Sequence, residues 1–166
     1  MVQADAVSVN DGWRVRPATE ADLAAWAQLR RALWPDDEGE TPSGHGDDMR
    51  GLLSRPDGNV CLLAFDERGQ ACGFAEASLR TDYVNGTDGS PVGFLEGWYV
   101  VPELRGNGVG RALIAAVEAW TKQRGCAELA SDSLLDNRDA HRAHAACGFE
   151  ETERVVYFRK SLHSGS

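Results

Sequence analysis

Residues 102–113, Pro102-Glu103-Leu104-Arg105-Gly106-Asn107-Gly108-Val109-Gly110-Arg111-Ala112-Leu113, decide the fold of this chain. Before them runs an apolar, strand-like stretch, 92–101, which Pro102 stops. After them Leu113, Ala116, Val117 and Trp120 recur at helical spacing as far as Gly125. The segment is therefore a strand-to-helix connection. Its glycines at 106, 108 and 110 let the main chain turn tightly and approach a ligand. The helix it opens presents N–H groups without helical partners and the positive end of its dipole. Together these make an anion site suited to a pyrophosphate, and Arg105 and Arg111 add positive charge on either side. A dinucleotide fingerprint wants G-x-G-x-x-G near the first strand with an acidic residue downstream. The glycines here follow a late strand and lack that spacing. A triphosphate loop needs Gly-Lys-Ser/Thr, which does not occur. A purely structural turn is the alternative that spacing alone leaves open.

Working outward, Trp13-Arg14-Val15-Arg16 alternates as a strand ended by Pro17. Thr19-Glu20-Ala21-Asp22 has the form of a helix cap with an acidic third position, and Leu23, Trp26, Leu29, Arg30 and Leu33 follow at helical spacing until Pro35. The acidic, turn-rich run 36–46 reads as a loop, followed by a short helix over 47–53. Residues 60–65 and 72–79 are strands joined by the hairpin turn 66–70. Residues 127–131 form a short strand, 137–147 a helix closed by Gly148, and 151–162 a last strand centred on Val155-Val156-Tyr157-Phe158. The sum is an α/β chain with a mixed sheet flanked by helices. Residues 1–12 show no periodicity and read as a loose extension, leaving 13–166 as one domain.

Composition narrows the partners. The formal net charge of −9 opposes nucleic-acid binding, which depends on cationic side chains neutralising phosphates. It favours a cationic small molecule drawn in by the long-range field, although solubility alone also accounts for it. No apolar stretch reaches the length of a bilayer span, and the first residues lack the basic and apolar blocks of a secretion signal. Cys61, Cys72, Cys126 and Cys147 form neither a C-x-x-C pair nor a zinc-spaced cluster with histidine. Reduced cysteines in a cytoplasmic protein, without a bound metal, are the reading.

Arg105-x-x-Gly108-x-Gly110 resembles the coenzyme A-binding motif of the Gcn5-related N-acetyltransferases. Residues 92–101 are similar to that family's fourth strand, 137–147 to its fourth helix, and Gly148-Phe149 to its usual ending; the likeness runs from about residue 13 to residue 162. The blocks Leu33-Trp34, Tyr83-Val84-Asn85-Gly86, Phe94-Leu95-Glu96-Gly97, Ala130-Ser131-Asp132 and Gly148-Phe149-Glu150-Glu151 resemble, more narrowly, the aminoglycoside 6′-N-acetyltransferases. The resemblance implies a mostly antiparallel sheet whose central strands splay apart, with acetyl-coenzyme A as co-substrate. It implies that the pantetheine amides pair with the main chain near Trp98 and Val100. The pyrophosphate would rest on the amides from Gly106 through Gly108, Val109 and Gly110 to Arg111, and Asn137 would help near the thiol end. It also implies a polycationic aminoglycoside as substrate, and a homodimer. Many members carry a tyrosine four positions before the Gly-Phe pair, proposed to protonate the departing thiolate; here that position is His144. An imidazole can donate a proton there, or be structural.

Transfer of an acyl group to an amine needs a neutral amine, so a nearby group must accept a proton from the ammonium. Glu96 lies in a strand otherwise made of apolar residues, where a carboxylate is costly unless paired or wet. Asp132 ends a strand and is either a site residue or a turn cap. Both are expected to orient or deprotonate the substrate amine. Trp34 and Tyr83 offer aromatic faces to a sugar or an ammonium, Trp34 competing with a role as a core anchor. Asp36-Asp37-Glu38-Gly39-Glu40 with Asp47-Asp48 form either one wall of a cation-attracting cleft or a solvated face. Cys147 is expected to pack rather than to carry an acetyl group, which favours direct transfer in a ternary complex.

Overall fold

A computed structural model describes residues 8–10, 12–35 and 44–163. The chain divides into two compact units, residues 1–132 and 133–166. In the first, strands β1 (Ser8–Asn10) and β2 (Trp13–Pro17) precede a single 3₁₀ turn, Glu20–Asp22, and helices α1 (Leu23–Leu33) and α2 (Gly44–Leu53). Strands β3 (Asn59–Phe65), β4 (Ala71–Arg80) and β5 (Val92–Val100), helix α3 (Val109–Gln123) and strand β6 (Leu129–Ser131) follow. The six strands form one sheet in sequence order. Neighbours are antiparallel except β5 and β6, which run parallel.

The sheet is covered on both faces. On one, Val109, Leu113, Ile114 and Val117 of α3 are essentially inaccessible to solvent. On the other, Trp26 and Leu29 of α1 and Met49 of α2 pack over Cys61, Leu63, Phe65 and Phe74. The alternation of side chains along a strand sets these faces, and one irregularity in it shapes the site. The β4–β5 register shifts so that Ala77 opposes Leu95 while Glu76 opposes Gly97, leaving Glu96 as an extra residue. This is a β-bulge. A side chain added at Gly93 would meet Thr121 of α3, whereas one added at Gly97 would run into Trp34 and Leu33 of α1. In a regular strand, positions four apart share a face; here the bulge puts them on opposite faces.

Several expectations change. The first residues are not wholly loose, because Ser8–Asn10 pair with Trp13–Val15. Helix α2 begins at Gly44, three residues before the expected start, although Gly44 and Gly46 disfavour helix. Tertiary bonds override that weak propensity, since His45 is tied to α1 through two contacts described below. In the second unit, α4 spans Arg138–Ala146, and the expected strand over 151–162 is absent: residues 151–163 adopt neither helix nor strand. A strand needs a ladder partner, and the described residues of that unit contain none.

Candidate active site

The cradle at the start of α3 follows from two local features. Gly108 is its N-cap, with φ +90 and ψ 0 in the left-handed region that a β-carbon disfavours. The first helical bond runs from the Ala112 amide to the Gly108 carbonyl (3.0 Å), so the preceding amides lie outside the helical ladder. Gly110 packs against the Trp98 ring, where a β-carbon would stand about 3.2 Å from the indole. Val109 turns its side chain into the core and contributes main chain only. The loop is braced at Asn107, whose carbonyl accepts from Trp13 Nε1 (2.9 Å) and whose Nδ2 donates to the Leu104 carbonyl (3.2 Å). Arg105 is tied to the end of β5: its Nε donates to the Val100 carbonyl (2.9 Å) and its guanidinium lies 5.4 Å from the Tyr99 ring centre. Arg111 is exposed on the first turn of α3.

The edge of β5 leads to this cradle. The Val101 amide donates to the Cys72 carbonyl (2.9 Å), so alternation turns the main chain of Tyr99 and Val101 toward β4 and that of Trp98 and Val100 to the opposite edge. Strand β6 pairs along that edge only with Gly93, Phe94 and Leu95. Main-chain donors and acceptors at Trp98 and Val100 therefore lie beyond the last β6 pair, one turn of chain away from a glycine-capped helix start. An extended diamide ending in a diphosphate fits that arrangement.

Glu96 and Asp132 each follow directly on the last β5–β6 pair, Leu95 with Ser131. Asp132 is exposed. Glu96, three residues beyond Gly93 and so on the opposite face, lies on the face of α1 and α2, where its Oε1 accepts from Ser78 Oγ (2.6 Å) and both oxygens accept from Arg80 (2.9 and 3.0 Å). It lines an open cleft of about 350 Å³ with Arg30, Trp34, Asp47, Asp48, Arg55 and Glu76. Four carboxylates against two guanidiniums leave this lining acidic. Trp34 is both anchor and wall: its indole fills the space left by the missing side chain of Gly97 and meets Phe74 edge-on at 6.0 Å, while the residue stays half-exposed in the cleft. Asp47 and Asp48 stand on the cleft; Asp36, Asp37, Glu38 and Glu40 lie outside the described residues. Tyr83 is 77% exposed. It precedes a turn closed by the Thr87 amide donating to the Val84 carbonyl (3.2 Å). Glu128 holds the same segment by accepting from the Asp88 and Gly89 amides (3.0 and 2.7 Å).

The floor of the cleft holds a network that sequence reading missed. Arg30 and Glu76 are 6% and 3% exposed and form an ion pair. Glu76 also accepts from Trp26 Nε1 (3.0 Å). Arg30 donates from Nε to His45 Nδ1 (3.1 Å) and from its second terminal nitrogen to Asp48 (3.3 Å). His45 Nδ1 is thus an acceptor and Nε2 donates to the Trp34 carbonyl (3.1 Å). Burial pushes the Glu76 carboxyl up, against the pull of Arg30 and Trp26. Removing one member of such a pair leaves a buried charge uncompensated, at about 3–5 kcal/mol. The signal was present, since Glu76 is a carboxylate inside Phe74-Ala75-Glu76-Ala77, the same anomaly that singles out Glu96.

In the second unit, Asn137 caps α4, its side-chain oxygen accepting from the Ala140 amide (3.1 Å). His144 contacts the Ala140 carbonyl through Nδ1 (2.6 Å) and meets the Phe149 ring edge-on at 5.1 Å. A carbonyl can only accept, so Nδ1 carries the proton; the neutral ring then has its lone pair at Nε2 and donates from there only as imidazolium. Among the described residues no cluster of three or more histidines, cysteines or acids is placed to hold a metal, and no helix is long and apolar enough to cross a membrane.

Beyond Leu95, strand β5 has no β6 partner among the described residues; Glu96 and Asp132 stand where that pairing stops, and a glycine-capped helix follows. Residues 26–149 match the Acetyltransferase (GNAT) family, and the chain belongs to that family. It is 58% identical over 148 residues to an aminoglycoside N(6′)-acetyltransferase type 1 of Stenotrophomonas maltophilia, covering 89% of this chain and 93% of that one. Among solved structures it is similar to the aminoglycoside antibiotic 6′-N-acetyltransferase AAC(6′)-Ih of Acinetobacter baumannii (TM-score 0.84, 46% identity, 92% of this chain and 100% of that one). It is likewise similar to AAC(6′)-Iy in complex with the bisubstrate analogue CoA-S-monomethyl-acetylneamine (TM-score 0.84, 43% identity, 90% and 99%).

Proposed function

We propose that this acetyltransferase moves the acetyl group of acetyl-coenzyme A onto the 6′-amine of an aminoglycoside by direct attack in a ternary complex, conferring antibiotic resistance. The observation that carries the reading is the placement of Glu96, a carboxylate in an acidic cleft on the strand that leads to the Gly108-capped helix. The relatives named above share that substrate class.

Coenzyme A supplies the acetyl thioester. The amides from Gly106 to Arg111 hold its diphosphate, and the main chain of Trp98 and Val100 pairs with its amide arm. Glu96 and Asp132 hold the 6′-ammonium and take its proton, directly or through water, so that the neutral nitrogen attacks. Trp34, Tyr83, Asp47 and Asp48 bound the sugar, whose remaining ammonium groups the acidic lining attracts. The resemblance alone assigns Asn137 to the thiol end and His144, as imidazolium, to returning a proton to the departing thiolate; the structural alternative for His144 is its contact with the Ala140 carbonyl and the Phe149 ring.

Residues 13–166 are assigned to the acetyltransferase domain. The buried cysteines Cys61, Cys72 and Cys126 suit a cytoplasmic enzyme. The active species is a homodimer, a reading supported by Val156, Tyr157 and Phe158, which are 76%, 81% and 92% exposed in a β-prone run with no ladder partner among the described residues of its own unit.

The test is thiol release from acetyl-coenzyme A across an amine panel. Kanamycin and tobramycin, which carry a 6′-amine, are expected to be turned over, and an aminoglycoside with a 6′-hydroxyl is not. Equal turnover of both moves the reaction to another nitrogen, and binding without turnover makes the protein a sensor.

A further inference from the structure

The pairing of Glu96 has a consequence for substrate selection. Its two oxygens accept two hydrogen bonds from one terminal nitrogen of Arg80 (2.9 and 3.0 Å), and Oε1 accepts a further, longer one from Arg80 Nε (3.3 Å). The guanidinium is seated on the buried Phe94 ring, 3.5 Å from its centre. Ser78 Oγ also donates to Oε1, at 2.6 Å. The carboxylate that faces the cleft therefore already carries a cation, in the place where a substrate ammonium has to bind.

We propose that Arg80 is a specificity-determining residue, an internal stand-in for the substrate ammonium that an incoming amine must displace from Glu96 or share it with. The pair is open enough to exchange, since the Arg80 and Glu96 side chains are 42% and 37% exposed, and exposed ion pairs are weak and screened by salt. A single isolated ammonium gains little by replacing a guanidinium that is already seated on an aromatic ring. A polyammonium gains more, because its other charges reach Asp47 and Asp48 across the same cleft. Arg80 thus raises the threshold against simple amines. Ser78 keeps the carboxylate in position whichever cation holds it, which separates neutralisation, by Arg80, from orientation, by Ser78.

This inference rests on the proposed amine site but is read out by binding as well as by turnover. Tobramycin and a monoamine, 2-aminoethyl glucoside, are titrated calorimetrically into the wild type, Arg80→Ala and Arg80→Lys in the presence of coenzyme A, at low and high salt. Arg80→Ala is expected to bind both amines about 3- to 10-fold more tightly at low salt, with the larger gain for the monoamine. The gain should shrink at high salt, and Arg80→Lys should stay close to wild type. Thermal melts establish that each variant is folded. Should Arg80→Ala fail to fold, Phe94→Leu, which removes the aromatic seat, is to show the same direction with a smaller gain. Unchanged or weaker binding of both amines in folded Arg80→Ala overturns the proposal. Wild-type enzyme that binds tobramycin but never acetylates it overturns the proposed reaction while leaving the Arg80 comparison readable.

Discussion

Glu96 and Asp132 are given different environments by neighbouring strands. Both are exposed, but Glu96 is held by Ser78 and Arg80, whereas Asp132 follows the end of β6. This favours Glu96 as the group that fixes the amine and Asp132 as the group that accepts its proton. Glu96→Ala and Asp132→Ala are each expected to keep coenzyme A binding, measured by calorimetry, and to lower kcat/KM for tobramycin by about 10²–10⁴. The loss should appear mainly in KM for Glu96→Ala and mainly in kcat for Asp132→Ala. Unchanged kinetics in Asp132→Ala would place the substrate site elsewhere. At this scale the sequence was legible where a residue type contradicted its surroundings, as a carboxylate does in the apolar strand at Glu96. Arg30 reads only as a helix-spaced position, because nothing local signals that a guanidinium on α1 will be buried against Glu76, which lies in β4. That pairing depends on tertiary packing between segments far apart in the chain.

Among the elements, the start of α3 and the 3₁₀ turn before α1 make opposite uses of a helix end. In the proposed reaction the amides at the Gly108-capped start of α3 hold the diphosphate, so Gly108→Val, which places a β-branched residue at φ +90, is expected to raise KM for acetyl-coenzyme A at least about tenfold. Tobramycin binding should change little. Before α1 the donors are satisfied internally: Asp22 accepts from the Thr19 amide (2.8 Å) and hydroxyl (3.1 Å), while Arg16 pairs with both its oxygens (2.7 and 2.9 Å). The Arg16 hydrogen bonds in particular lower the Asp22 carboxyl from 3.8 to about 2. A carboxyl depressed on folding contributes stability that is complete above its unfolded value and is lost as pH falls through its folded one. Asp22→Asn should therefore cost about 1 kcal/mol at neutral pH, after screening of a partly open pair, and the difference from wild type should vanish between about pH 4 and pH 2. Denaturant midpoints across that range measure it. The elements themselves were legible from periodicity and caps, as at Thr19-Glu20-Ala21-Asp22 and at residues 109–123. The bulge was not, because it is a property of how β4 registers on β5, and Phe94-Leu95-Glu96-Gly97 alone does not announce it. The start of α2 was missed for a related reason: two glycines argue against helix, and the bonds of His45 to Arg30 and Trp34 outweigh them.

For the whole molecule, the residues after α4 matter most. The run Val155-Val156-Tyr157-Phe158, expected as the centre of a last strand, forms none: a strand requires a partner, and the described residues of the second unit provide none. In the proposed homodimer a second copy would bury this run. Sedimentation of the full chain is expected to show a dimer, and Val156→Asp with Phe158→Asp to give monomers that keep the circular dichroism of the wild type. A wild-type monomer at micromolar concentration would rule out the homodimer. The net charge of −9 acts at the same scale. It draws a polycation toward the cleft, so kcat/KM for tobramycin should fall with ionic strength more steeply than that for acetyl-coenzyme A.

In the proposed reaction one nitrogen of the aminoglycoside lies beside Glu96 and Asp132, and the position of the new acetyl group reads this out directly. Two-dimensional NMR of the product formed from kanamycin and acetyl-coenzyme A should show the acetyl group on the 6′ nitrogen alone. Acetylation of any other amine, or of a mixture, would contradict the assignment of these carboxylates as the place where the substrate is held.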